Sequence, residues 1–190
     1  MDTICSLTYE QYCEKVESFH GHLAPGVIIA GFMVDLASRN LSPNTLFDVI
    51  CETAACLPDA VTLLTPCSVG NQWLKVIDVG RFAMTLYDKD TGEGVRVFLD
   101  PAKLDSWPAI KDWFLKLKPK EQQDRQVLFA RIREAGTGIL GMEKVKISRE
   151  FLRGWSEKSV AVCPVCHEAY RLEDGPVCPA CKEKRLPYTF

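Results

Sequence analysis

Cys163-Pro-Val-Cys166 and Cys178-Pro-Ala-Cys181 are two CxxC pairs separated by eleven residues. Each short loop can grip a metal ion from one side, and a hairpin between them brings the two sides together. Four thiolates so arranged point to a tetrahedral zinc site. A closed four-sulfur shell leaves no open position for substrate, so this zinc is structural. His167, beside the first knuckle, is a spare ligand that the four cysteines make unnecessary.

The remaining histidines fall in one tripeptide, His20-Gly21-His22, within Phe19-His20-Gly21-His22-Leu23-Ala24-Pro25-Gly26. Imidazoles at i and i+2 do not share a face of a regular helix, but at a helix end opened by glycine they can converge on one point. Cys56 and Cys67 add soft ligands on either side of a short helix. If that helix has about eight residues its ends lie ~12 Å apart, so one cysteine with both histidines is easier to assemble than all four. Three ligands leave a position open for water or substrate. The plainer alternative is two histidines capping a helix and two buried cysteines acting as small hydrophobes.

Glu52 and Asp59 flank Cys56 and suit either a helix cap or an outer partner for an imidazole. Cys13 and Cys51 lie on apolar stripes and read as core; Cys5 reads as terminal. Ser68-Val69-Gly70-Asn71 reads as a turn before a strand. The spacing of Trp107, Trp113, Phe114 and Leu117 marks a helix face used for core or dimer contact.

The elements that must carry these residues can be read from periodicity. Thr8-Tyr9-Glu10-Gln11 is a capping box, followed by Tyr9, Tyr12, Cys13, Val16 and Phe19 at helical spacing, which brings His20 to the end of a first helix. Pro25 opens a second, mostly apolar helix through Leu41. Leu46–Thr53 has strand composition and Pro58–Leu64 that of a short helix. Trp73–Val79, Phe82–Tyr87 and Val95–Leu99 read as three consecutive antiparallel strands with hairpin turns. Asp105–Leu117 and Lys120–Ala135 read as helices split by Pro119, with a short strand at Lys144–Ile147. The predicted fold is α+β: an antiparallel sheet with packed helices over residues 1–150, then a linker and a small treble-clef or ribbon finger over 151–190. About thirty residues bury too little apolar surface to fold alone, so the finger's stability must come from zinc.

Composition narrows the partners. The 190-residue chain has a formal charge of -2, distributed as -7 over residues 1–102, +4 over 103–150 and +1 over 151–190. The finger therefore lacks the basic excess of a nucleic-acid binder. No stretch approaches the ~18 apolar residues of a membrane span, and residues 1–5 do not resemble a secretory signal. The expectation is a cytoplasmic protein with reduced cysteines.

Over residues 12–100 the chain resembles the FmdE family, associated with formylmethanofuran dehydrogenase. The blocks that carry this likeness are Phe19–Gly26, Glu52-Thr53-Ala54-Ala55-Cys56-Leu57-Pro58-Asp59-Ala60, Leu64-Thr65-Pro66-Cys67-Ser68-Val69-Gly70-Asn71, and Asp78-Val79-Gly80-Arg81 with Thr91-Gly92-Glu93-Gly94-Val95-Arg96-Val97. The resemblance implies an α+β core that pairs as a homodimer, in some members with a C-terminal treble-clef finger. It also implies a transition-metal pocket, with zinc among the candidate ions, drawn from His20, His22, Cys56 and Cys67. Ala24 stands where the family pattern has cysteine. The parent enzyme is a tungsten or molybdenum complex whose redox chemistry is assigned to its other polypeptides, and no ferredoxin-type cysteine run occurs here. The expected role is accessory to one-carbon metabolism, with oxidoreductase subunits or a small molecule as partner and no catalytic residue assigned. The rival expectation is a zinc-finger adaptor for a protein or nucleic acid.

Overall fold

The computed structural model describes residues 3–153 and 159–183. The chain divides into two compact units, Met1–Ile147 and Ser148–Phe190.

In the first unit, β1 (Thr3–Ile4) and β2 (Leu7–Thr8) form a small antiparallel ribbon leading into α1 (Tyr9–His20). The capping box is complete: Thr8 accepts from the Gln11 N–H at 3.2 Å, and the Gln11 side chain accepts from the Thr8 N–H at 2.9 Å. Gly21, at φ 82°, ends α1 in the left-handed conformation that a side chain disfavours. After four residues, α2 (Pro25–Asn40) starts at the proline and buries nearly its whole length, which its almost unbroken apolar sequence requires.

Five strands form the main sheet, in the order β4-β3-β5-β6-β7: β3 (Phe47–Cys51), β4 (Leu74–Val76), β5 (Ala83–Asp88), β6 (Glu93–Leu99) and β7 (Leu140–Lys146). Residues alternate across it. Val49, Cys51, Met84, Leu86, Val95, Val97 and Leu99 join the core that includes α2, whereas Asp48, Thr85, Tyr87 and Arg96 lie on the opposite face.

That opposite face is charged and internally paired. Lys75, 4% exposed at its side chain, reaches Asp48 and donates to the Tyr87 hydroxyl at 3.1 Å. Glu52 accepts from Arg96 at 2.6 and 3.0 Å and pairs with Arg81 at 2.7 Å.

Two sequence expectations change here. The segment 73–79 does not form a hairpin with 82–87: β4 runs parallel to β3, Val49 facing Leu74, after a crossover through α3 (Leu57–Leu64). The Glu52 carbonyl takes the N–H groups of Val79 (3.1 Å) and Arg81 (3.2 Å), which holds 77–82 as an irregular return rather than a two-residue turn. The sheet is therefore mixed. The last core strand also starts earlier than expected, at Leu140, because its ladder to β6 runs from Leu99↔Leu140 to Glu93↔Lys146.

Between β6 and β7, single 3-10 turns alternate with α4 (Pro108–Phe114) and α5 (Arg125–Ala135). Asp124 caps α5, accepting from Gln126 and Val127. Among the described residues no helix is long and apolar enough to cross a membrane.

The second unit holds α6 (Arg149–Arg153), the antiparallel pair β8 (Val160–Val162) and β9 (Ala169–Arg171), and α7 (Pro179–Glu183). The linker expected over 148–160 lies partly outside the described residues, as do Lys184 and Arg185.

Candidate metal centres

The first CxxC knuckle occupies the turn between β8 and β9. Its backbone is locked by the Cys163 N–H on the Glu168 carbonyl (2.9 Å) and the His167 N–H on the Cys163 carbonyl (3.0 Å). The second knuckle opens α7. The ligand atoms of Cys163, Cys166, Cys178 and Cys181 all lie within 4.8 Å of one another, with Cys166 Sγ 3.8 Å from Cys178 Sγ. A zinc tetrahedron with legs of about 2.3 Å has edges of about 3.8 Å, so the sulfurs fit that ion. Backbone N–H groups of Cys166 and Cys178 lower the Cys163 thiol to about 6, whereas its neighbours' sulfurs, Cys178 first, push Cys181 up to about 12. The protein ionises one sulfur; ionising the rest falls to the cation. His167 is exposed and outside this group.

The core histidines meet at the α1–α2 corner. Because Gly21 turns the chain, His20 and His22 bring their rings to 4.8 Å between centroids, tilted by 49°. His20 Nδ1 lies 2.5 Å from Asp59 Oδ2 on the first turn of α3. A carboxylate on one ring nitrogen fixes the tautomer and leaves the other nitrogen as the coordinating atom, the usual outer arrangement of a metal-bound histidine.

Cys56 is the residue before α3, at φ 62°, a left-handed backbone that few non-glycine residues adopt. Its side chain packs on Gly26 at the start of α2: a Cβ at that glycine would be 2.6 Å from the Cys56 sulfur. Burial, and then the Asp59 carboxylate, raise the Cys56 thiol above its ordinary range. It is a neutral thiol at pH 7 unless a cation is beside it.

Cys67 lies beyond the other end of α3. It is fully buried, its thiol donates to the Phe47 carbonyl at 3.6 Å, and burial raises its pKa. The eight residues of α3 put it away from the corner that Asp59 shares with His20. Among the described residues, only the four finger cysteines bring three or more ligand atoms within 4.8 Å of one another, so His20, His22, Cys56 and Cys67 are not gathered in that sense.

Asp59 was legible as an outer partner for an imidazole; Glu52, its equal in the sequence, instead serves Arg81 and Arg96. Ala24 is buried and directly precedes α2.

A family profile described as "FmdE, Molybdenum formylmethanofuran dehydrogenase operon" matches residues 19–149. The chain belongs to the FmdE family. The FmdE treble clef zinc finger profile matches residues 155–189, in agreement with the four-cysteine cluster. The FmdE chain is 52% identical to an FmdE-like protein of tungsten formylmethanofuran dehydrogenase from Syntrophus aciditrophicus, known from a crystal structure at 1.90 Å. The TM-score is 0.86, and the match covers 98% of each chain. A curated relative, a probable S-adenosyl-L-methionine-binding protein of Archaeoglobus fulgidus, is 31% identical over 94 residues, 45% of this chain. The match spans 26% of that relative's length.

Proposed function

We propose that this FmdE protein is an accessory metalloprotein of formylmethanofuran-type one-carbon metabolism, with a transition metal held in the core by His20, His22 and Cys56 in addition to the finger's zinc. The supporting observation is the His20–Asp59 pair at 2.5 Å, with the second imidazole alongside and a neutral thiol at the head of the same helix. Cys67, the fourth sequence candidate, is spent on a main-chain carbonyl and is left out of the ligand set. When bound, such a metal would supply Lewis acidity at an open position. The residues' own part is to orient: Asp59 holds the His20 ring, and the Gly21 turn brings His22 beside it.

The test is elemental analysis of the purified protein and its variants. A second metal per chain, beyond the finger's zinc, is expected; His22→Ala should lose it, and Asp59→Asn should weaken its retention about 10–100-fold against a chelator. Metal content identical in all three proteins refutes the core centre.

The proposal includes pairing with a second copy of the chain. Edge strand β4 and its flanks expose Trp73, Val76, Ile77 and Val79 by 42, 37, 43 and 56%, an apolar run that a partner would cover. Sedimentation should show a dimer that Ile77→Glu and Val79→Lys weaken; a monomer at micromolar concentration argues against it.

One observation favours the adaptor reading for the finger: Val160 and Val162, on the same side of β8, are 72 and 67% exposed. A protein partner, rather than nucleic acid, fits an apolar ridge on a segment of net charge +1. Removal of residues 148–190 should then abolish partner capture while leaving metal in the core.

A further inference from the structure

Beside His22 the core unit contains a cavity of about 240 Å³, below the roughly 300–1,000 Å³ of sites for drug-sized ligands. Its walls come from three places. The α1–α2 corner supplies His22 and Leu23, α4 supplies Trp113, and α5 with the turn before it supplies Lys120, Arg125 and Leu128. The lining is more apolar than polar, yet it includes two permanent cations and, among the described residues, no carboxylate.

Nearby acids are already committed. Asp124 accepts the N–H groups that begin α5, and Asp112 pairs with Lys118 at 2.6 Å. Neither Lys120 nor Arg125 has an ion pair among the described residues. Arg125 is held in place by donating to the Leu23 carbonyl at 2.5 Å and by stacking over Phe129 at 5.5 Å, which leaves further guanidinium N–H groups to serve a ligand.

We infer that this cavity takes a small organic carboxylate: Lys120 and Arg125 hold the anionic group, Trp113 and Leu128 pack its apolar body, and its other end meets His22. A cavity of this size with cations at one side and carbon over most of its wall selects a short acid over a free inorganic anion. Inorganic phosphate lacks the body that the indole and leucine would cover. The inference rests on the proposed metal centre for what the ligand meets at His22, but not for its capture.

The experiment is calorimetric titration of the purified full-length protein with butyrate, benzoate and phenylacetate, each beside its neutral amide, and with inorganic phosphate. Charge-assisted hydrogen bonds make the acid at least about tenfold tighter than its amide. Lys120→Gln, on an exposed turn, should lower acid affinity by about tenfold and leave amide affinity unchanged. Arg125→Gln should do the same, with circular dichroism confirming that loss of the Leu23 bond has not unfolded α5. Acids no tighter than amides, phosphate tighter than every acid, indifference to Lys120→Gln, or no binding by any acid overturns the inference. The two readings fail separately: acid binding with no second metal sinks only the metal centre, and a normal second metal with no preference for acids sinks only the carboxylate site.

Discussion

Gly26→Ala tests the corner where the start of α2 meets Cys56. A Cβ at position 26 would lie 2.6 Å from the Cys56 sulfur and 3.1 Å from its Cβ. Unstrained heavy-atom contacts are about 3.5–4.0 Å, so the thiol must shift by roughly 1 Å. Rotation about the Cα–Cβ bond can move the sulfur but not the Cβ, and the Cys56 backbone, already at φ 62°, has little room to follow. Two effects oppose each other. Alanine in a helix is favoured over glycine by up to about 1 kcal/mol, less so in the first turn, while overpacking costs about 1–3 kcal/mol. The net expectation is a loss of about 1 kcal/mol in urea unfolding, together with loss of the core metal because the displaced sulfur no longer faces the histidines. Gly138→Ala, where an added Cβ meets nothing within 4 Å, is the control and should unfold like the parent. A Gly26→Ala protein as stable as the control, with its full complement of metal, would refute the reasoning that this contact positions the thiol.

Glu52→Gln should destabilise the core by about 2–3 kcal/mol at pH 7, because it leaves Arg96 partly buried without its partner. The Arg96 hydrogen bonds, with Arg81 adding to them, hold the Glu52 carboxyl below its usual range. Its contribution is thus complete above the unfolded carboxyl's value of about 4.3 and is lost as pH falls through the lower folded value; the two proteins' urea midpoints should converge on acidification, and a gap that widens counts against the pairing. Cys163→Ser should remove about one zinc per chain and make residues 148–190 protease-sensitive while the core stays folded; retained zinc contradicts the finger. Asp48→Asn should cost about 3 kcal/mol by stranding the Lys75 ammonium, with Asp48→Asn/Lys75→Met recovering part of the loss. Failure of the double variant to recover, by the same unfolding assay, would show that the pair is not the cause.

The parts of the fold governed by local rules were legible. The Thr8 capping box, the proline starts of α2 and α3 and the two zinc knuckles each depend on residues close in sequence, and each forms as read. The placement of β4 was not legible. Its composition suits a strand in either direction, and the choice is made by Glu52, whose carbonyl captures Val79 and Arg81 more than twenty residues away. At the corner, the tripeptide announced both imidazoles, and glycine between them announced the turn. Which acid would meet His20 depended on the rotational phase of α3, which puts Asp59 toward α1. Cys67 looked as good a ligand as Cys56 because sequence does not reveal that its thiol has a carbonyl to serve. Trp113, Lys120 and Arg125 read as core and solvated faces; only the net charge of +4 over residues 103–150 hinted that cations there outnumber their partners.

The lysine beneath the charged face of the sheet bears on how the chain finds its native threading. A strand of three residues offers few ladder bonds with which to choose its place along β3, and Leu74, Lys75 and Val76 would hydrogen-bond almost as well one step out of phase. A slip of one residue, however, would turn the ammonium to the opposite side of the sheet, among the carbons of α3 and far from Asp48. The ion pair therefore acts as a proofreader: it tolerates one alignment of the crossover and makes the adjacent ones costly, so an edge too short to specify itself is specified by a single misfit it cannot hide.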